Sequence, residues 1–170
     1  GNKGITIGDN QYPRAIFSLW TESERNAINI YTVTIDESKR KDEQWYINTN
    51  ITYSFDGTNA TGSYGDATAR AHADTLFTAQ DETDGKGTEG EVAVEGLKTI
   101  LIRNIKSQAE TELSRTDWYI TRKSEKNTAI PSAITTHRDA VRSKQDSMCT
   151  AITNASDTPA LETLYTYTEQ

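Results

Sequence analysis

Cysteine is nearly missing from this chain. Cys149 is the only one in 170 residues, so no intramolecular disulfide can staple the fold, and the redox compartment stays open. Long apolar runs are missing too. No stretch approaches the roughly 20 consecutive apolar residues that cross a bilayer, which argues against a membrane span. The charged-then-apolar start of a secretory signal is also lacking. The chain opens at Gly1 rather than at a methionine, which leaves room for a preceding segment. Apolar residues amount to 34% and the mean hydropathy is −0.72, so any core is modest. Eight tyrosines and three tryptophans offset this, because large aromatics bury area efficiently in small domains. The length suits one ordinary domain or two small ones.

Clustered basic charge is the next absence. The formal net charge of −7 is unevenly placed: residues 1–91 hold 8 Lys+Arg against 15 Asp+Glu, and residues 92–170 hold 10 against 10. Nucleic-acid binding needs grouped positive charge to displace counterions from phosphates. The first half repels phosphates, and the second has no basic run beyond Arg122-Lys123. Nucleic acid is therefore not an expected partner.

What is present changes period along the chain. The first half is β-rich. Tyr12-Pro13 through Trp20 is an apolar run opened by a proline, which suits an edge or first strand. Thr21-Glu22-Ser23-Glu24 is a capping box, predicting a short helix from Glu22 to about Ala27. Asn29 is placed to end it, because asparagine tolerates the left-handed conformation. Ile30–Asp36 has the β-branched and tyrosine composition of a strand. Charged residues 36–43 make a solvated turn. In 45–55, Ile47, Ile51, Tyr53 and Phe55 share one parity while Asn48, Asn50, Thr52 and Ser54 share the other, predicting a strand with one buried face. Asp56-Gly57 signals a hairpin and a returning strand near 58–64. Segment 66–79 mixes alanine with threonine and reads as strand or loop. Residues 81–91 hold three glycines and no apolar residue, so burial cannot offset their ordering entropy. They read as a long loop or linker.

From Val92 the period is helical. Val94, Leu97, Leu101, Ile105, Ala109 and Leu113 recur at three- and four-residue steps, predicting an amphipathic helix. Thr116 can cap a shorter helix from Asp117 to about Lys126. Pro131 can open a third, with Ile134, Val141, Met148 and Ala155 on one stripe, Ile152 beside them and Asn154 at its C-cap. Thr158-Pro159 pairs an N-cap with a first-turn proline for a last helix through Leu161, Leu164 and Tyr165. The expected fold is α+β: a small antiparallel β-rich domain over 1–80, an acidic Gly-rich linker over 81–91, and a helical hairpin or bundle over 92–170.

Reactive chemistry is hard to assemble from these residues. Fitting an EF-hand with Gly85 at position 6 puts Gln80 at position 1 and Gly87 at position 8, where a ligand and an apolar residue are required. Gly62-Ser63-Tyr64-Gly65 lacks nucleophile-elbow spacing. His137 and Asp139, two apart on a helix, point in different directions. His72 has no second histidine or cysteine near it to form a metal site. Cys149 beside Met148 on an amphipathic helix reads as a small buried thiol rather than a reactive one. No carboxylate pair is set across a cleft, and Gly85-Lys86-Gly87 precedes no phosphate-binding strand–helix pattern. The expectation is no catalytic residue, no metal and no cofactor.

The candidates that remain are for interaction. Trp20, Trp45, Tyr46, Trp118 and Tyr119 sit at element boundaries, where aromatics either seal a small core or present a carbohydrate- or partner-binding surface; core packing is favoured. Of these, Trp45, Tyr46 and Trp118 are the candidate interaction aromatics. Arg138 and Arg142, four apart on one helix face, are candidates to pair with acidic partner surfaces.

Three stretches carry short landmarks. The first runs from Tyr12-Pro13 through Phe17-Ser18-Leu19-Trp20 and Glu24-Arg25 to Ile28-Asn29-Ile30-Tyr31. The second runs from Leu97-Lys98 through Leu113-Ser114-Arg115-Thr116-Asp117-Trp118, with Arg122-Lys123-Ser124-Glu125 and Ile130-Pro131 after it. The third is Arg138-Asp139-Ala140-Val141-Arg142. In this order they resemble a family of tailed-bacteriophage tail proteins, of the tail-fibre assembly type found in phages of marine bacteria or cyanobacteria, with Asn29 where that family has glycine. The resemblance covers about two thirds of the chain and is weakest in 56–91. The resemblance implies a non-enzymatic structural role, and other tail or fibre proteins as partners in a symmetric homo- or hetero-oligomeric assembly. It implies a place in the virion tail, or in the host cytoplasm during assembly. A transient assembly chaperone and a receptor- or carbohydrate-binding module are the alternatives. Threonine, at roughly one residue in seven, exceeds ordinary usage and suits the solvated strands of a virion surface protein.

Overall fold

The computed structural model describes residues 4–166; residues 1–3 and 167–170 of the expected outer domains lie outside the described residues. The fold is α+β, with small sheets in the N-terminal half and helices in the C-terminal half. Two compact units divide between Thr68 and Ala69.

In the first unit, β1 (Ile5–Ile7) and β2 (Asn10–Tyr12) form an antiparallel hairpin turned at Gly8, whose φ is 58°. The strand expected over 12–20 stops at Tyr12. Pro13 offers no amide proton to continue the ladder, and its carbonyl instead accepts the Ile16 amide at 3.2 Å to start α1 (Ile16–Leu19). Ile16 is 1% exposed. The capping box then forms as expected. Thr21 Oγ1 accepts from the Glu24 amide at 3.3 Å, and the Thr21 amide donates to Glu24 Oε2 at 2.8 Å, opening α2 (Glu22–Asn26). Asn29, at φ 61°, ends it in a Schellman arrangement. The Asn29 amide donates to the Asn26 carbonyl and the Ile30 amide to the Arg25 carbonyl, both at 3.0 Å.

A three-stranded sheet follows, built from β3 (Val33–Asp36), β5 (Thr52–Phe55) and β6 (Ala60–Ser63). β4 (Tyr46–Ile47) precedes β5 in the chain. Asp56-Gly57 makes the expected hairpin: Gly57 has φ 98°, and Asp56 Oδ1 accepts the Thr58 and Asn59 amides at 2.8 and 2.7 Å. β6 is central, antiparallel to β5 and parallel to β3, so the sheet is mixed. The single strand expected over 45–55 is broken because polar side chains in its middle take backbone partners elsewhere. Asn48 exchanges two hydrogen bonds with the Lys41 backbone, at 2.9 and 2.7 Å, and Thr49 Oγ1 accepts the Gly65 amide at 2.6 Å.

In the second unit, β7 (Thr68–Ala69) straddles the division, and β8 (Thr75–Leu76) pairs antiparallel with β9 (Val92–Val94). The connection between them contains α3 (Ala79–Thr83). Residues 81–91 are therefore not a linker between domains. Thr78 and Asp81 form a second capping box, and the Phe77 backbone is tied to Glu91 and Gly90 at 2.9 and 3.0 Å. Val92–Val94 is strand rather than the start of the long helix.

α4 (Leu97–Ser114) begins after Gly96. A side chain on Gly96 would collide with the Ala73 carbonyl and the His72 oxygen. That close approach lets the preceding segment cap the helix: Asp74 Oδ1 accepts the Gly96 amide at 2.6 Å, and the Ala71 and His72 carbonyls accept the Leu97 and Lys98 amides. His72 Nε2 also lies 3.0 Å from Thr158 Oγ1, and Thr158 is buried. Segment 69–96 is thus bonded to the helices. This moves the boundary from the expected 80/81 to 68/69.

α5 (Asp117–Lys126) ends at Asn127, with φ 50°. α6 (Ser132–Asn154) follows Pro131. α7 (Thr158–Tyr165) is capped by Asp157, whose carboxylate accepts the Ala160 amide at 2.8 Å, rather than by Thr158. The long α4 and α6 pack on each other, and α7 packs on α6. Leu97, Leu101, Ala109, Ile152 and Leu161 are buried, Ile152 and Leu161 completely. Each of those two contributes on the order of 1.5–3 kcal/mol. Among the described residues no helix is long and apolar enough to cross a membrane.

Candidate interaction site

Three helices of the second unit meet at Arg138. α4 ends with carbonyls that have no partner within the helix, and α6 brings a guanidinium to one of them. Arg138 Nη1 donates to the Leu113 carbonyl at 2.8 Å and to Thr116 Oγ1 at 2.7 Å, and lies 2.9 Å from Asp117 Oδ1. A cation beside the last turn of a helix also complements the negative end of its dipole. Thr116 does not cap α5 through its side chain as expected. Its hydroxyl donates to the Leu113 carbonyl at 2.9 Å and accepts from Arg138. Arg138 is 7% exposed, so its expected role toward an acidic partner is corrected: its acid is Asp117 of the same chain.

Beside this junction the surface is aromatic and charged. The Trp118 and Tyr119 rings lie 3.8 Å apart, and the Arg122 guanidinium sits over both, at 4.7 and 5.4 Å. Trp118 is 52% exposed. Arg142 is exposed and 3.3 Å from Asp139. His137, also exposed, is 3.3 Å from Glu112, which pairs with Arg115 at 3.1 Å.

In the first unit, Trp45 and Tyr46 are both buried, so neither offers a binding surface. Tyr46 lies under the Lys41 ammonium at 4.4 Å. Of the five candidates, then, Trp118 and Arg142 reach solvent, while Trp45, Tyr46 and Arg138 are interior. Arg122 was missed, although its spacing of four from Trp118 on a helix could have flagged it.

The sheet face was expected to be buried and is not. Val33, Ile35, Tyr53 and Phe55 share one face of β3–β6–β5 by register, and all four are exposed. Gly62 lies at its centre, and a side chain there would meet Ile35, Ile51 and Tyr53 at 2.8, 2.9 and 3.0 Å. Apolar side chains lean over the glycine. The opposite face carries Thr34, Thr52, Ser54, Thr61 and Ser63, with the Ser54 and Thr61 hydroxyls 2.8 Å apart.

Carboxylates held below their usual range are those at turns and caps. Hydrogen bonds from the Thr21 amide and hydroxyl lower Glu24, and the Gly96 amide and then Thr99 lower Asp74. The Thr78 hydroxyl and amide, helped by Lys86, bring Asp81 down to about 2. These are the signatures of local backbone satisfaction. Burial, with a smaller effect from Cys149, pushes the Tyr165 phenol up. Among the described residues no three His, Cys, Asp or Glu side chains gather as a metal site. A cleft of about 470 Å³ over Glu37–Glu43 is lined by both signs of charge, with Arg40 3.5 Å from Glu37 and 3.3 Å from Glu43.

Compared with known proteins, the chain matches no protein-family model, no curated protein and no solved structure.

Proposed function

We propose that the protein is a non-enzymatic structural component of a phage tail or tail-fibre apparatus, acting through protein–protein contacts within the particle. The observation that carries this reading is the Arg138 junction. Thr116 and Asp117 belong to one family-like landmark and Arg138 to another, and they meet through bonds of 2.7 and 2.9 Å. Landmarks distant in sequence thus act as one structural motif, which is what a shared helical module requires. The exposed apolar sheet face and the Trp118–Tyr119–Arg122 stack add support, since aromatic and arginine side chains are enriched where interfaces hold their binding energy.

On this reading the chain resides in the virion tail, and in the host cytoplasm while tails assemble. Its partners are other tail or fibre proteins in a symmetric assembly, and it needs no cofactor. Mass spectrometry of purified particles tests it: the chain should be present at a fixed ratio to the other tail proteins. Its absence from finished particles, together with co-purification with an immature fibre protein, would replace the structural role with a chaperone's.

A further inference from the structure

We propose that α5 is a docking helix for a protein partner whose surface sets carboxylates around an apolar pocket. Trp118 is the anchor, and Arg122, Lys123 and Lys126 are the matching charges. The inference rests on reading this surface as a protein contact, and it does not require the assembly to be a phage tail.

α5 differs from the other helices of its unit in what it leaves outside. It has ten residues and none of them is buried, whereas α4, α6 and α7 each bury two or three. A helix shorter than roughly 12–15 residues is marginal in water by propensity alone, and packing of an amphipathic face supplies the rest. Within the chain α5 packs on α4 and is tied at its first turn, where Asp117 meets Arg138. Beyond that tie its large apolar side chains stand in solvent: Trp118 is 52% and Ile120 44% exposed. Such a helix has the most to gain from a surface that another molecule brings.

Charge selects the chemistry of that surface. Trp118, Arg122 and Lys126 are four apart and share one face of the helix, with Lys123 beside them. None of the three cations has an ion-pair partner among the described residues. Of the two acids on α5, Asp117 is taken by Arg138, and Glu125 alone remains against three positive charges. The Arg122 guanidinium is already in place over the Trp118 and Tyr119 rings, and its Nε is covered without a hydrogen-bond partner. A cation held in position before a carboxylate arrives loses less freedom on binding. An aromatic anchor with arginine beside it is also the composition of interface hot spots, and a helix laid into a groove presents them at four-residue steps. Phosphates would meet the same cations, but the chain's net charge of −7 opposes a long polyanion, whereas a protein's acids can be confined to α5.

Hydrogen exchange of the full chain, read by mass spectrometry over 117–127, tests this with three probes. They are a synthetic peptide of glutamate and leucine, its lysine-for-glutamate counterpart, and single-stranded oligothymidylate. In the free chain the α5 amides should exchange far faster than the middle of α4. The glutamate–leucine peptide should slow them roughly tenfold or more near saturation, while the other two probes leave them unchanged. Lys123→Glu/Lys126→Glu should raise that peptide's dissociation constant roughly tenfold, and Trp118→Ala should weaken it comparably. All three side chains are exposed, so α4 and α6 should keep their protection in these variants, which the same spectra report. The proposal is overturned if α5 in the free chain is as protected as α4, if the glutamate–leucine peptide does not slow it, or if the charge-reversed variant binds as tightly as wild type. Protection by oligothymidylate instead would assign the helix to nucleic acid, and protection that rises with the concentration of the chain alone would assign it to a second copy. Either result also overturns the proposal.

Discussion

The two units solve the problem of a polar sequence in opposite ways. The second unit buries little but finishes what it buries. Its long helices are sealed by Ile152 and Leu161, and α4 is closed at one end by Asp74 and the 71–72 carbonyls and at the other by Arg138. The first unit spends its aromatics differently. Trp45, Tyr46 and Ile16 are buried, while Tyr53 and Phe55 stand on an open sheet face. In one unit apolar residues mark the core; in the other, alternation along a strand marks a surface. A period-2 pattern says which residues share a face, and only a second layer decides whether that face is inside.

The largest break in this contrast should come from the helical core. Ile152→Ala or Leu161→Ala is expected to cost about 2–5 kcal/mol, read as loss of helical signal at lower temperature. In a Trp118→Phe background, where Trp20 and Trp45 of the first unit are the remaining tryptophans, tryptophan fluorescence should be little changed at the temperature where those helices first melt. Arg138→Met comes next. It removes a donor from the Leu113 carbonyl and from Thr116, and leaves Asp117 without its cation. The expected loss is about 1–3 kcal/mol, seen as a lower denaturant midpoint. Arg138→Lys should recover only part, because a lysine cannot reproduce the planar fork.

Those two predictions divide what sequence could and could not convey. The helical stripe through Leu97, Leu101 and Ala109, the end of α5 near Lys126, the Thr21–Glu24 box and the Asn29 turn were all readable, because each depends on neighbours within a few residues. The burial of Arg138 was not. Its partners lie on α4 and α5, and spacing alone could only place it four from Arg142. The same holds for residues 81–91. Their composition is that of a solvated loop, yet the Thr78–Asp81 box and the Phe77 backbone order them against β9. Boundaries failed where a long-range bond competed with local pattern, as when the 71–74 segment joined α4.

Smaller effects sharpen the comparison at caps. Thr21→Ala should cost about 1 kcal/mol, and Asn29→Ala about 1 kcal/mol, with Asn29→Gly near neutral; thermal melts of the first unit would rank them. The acid limb offers a milder probe. Asp81, held at about 2, keeps its cap and its Lys86 pair above the ordinary carboxylate range and loses them as pH falls from about 4 to about 2. The protection factor of the Thr78 amide, which donates to the Asp81 carboxylate, should fall across that window once the exchange rate is referred to the intrinsic rate at each pH. Smallest of all, Tyr53→Thr and Phe55→Thr should each change stability by no more than about 0.5 kcal/mol, since neither side chain leaves a core. A loss of several kcal/mol in a urea titration would mean that this face is covered.

The placement of segment 69–96 with the helices is the claim on which the contrast depends, and native-state hydrogen exchange on the full chain reads it directly. The Gly96, Leu97 and Lys98 amides, bonded to Asp74, Ala71 and His72, should open with the same free energy as the middle of α4 and separately from the β5–β6 hairpin. Rapid exchange at those three amides while α4 stays protected would contradict it.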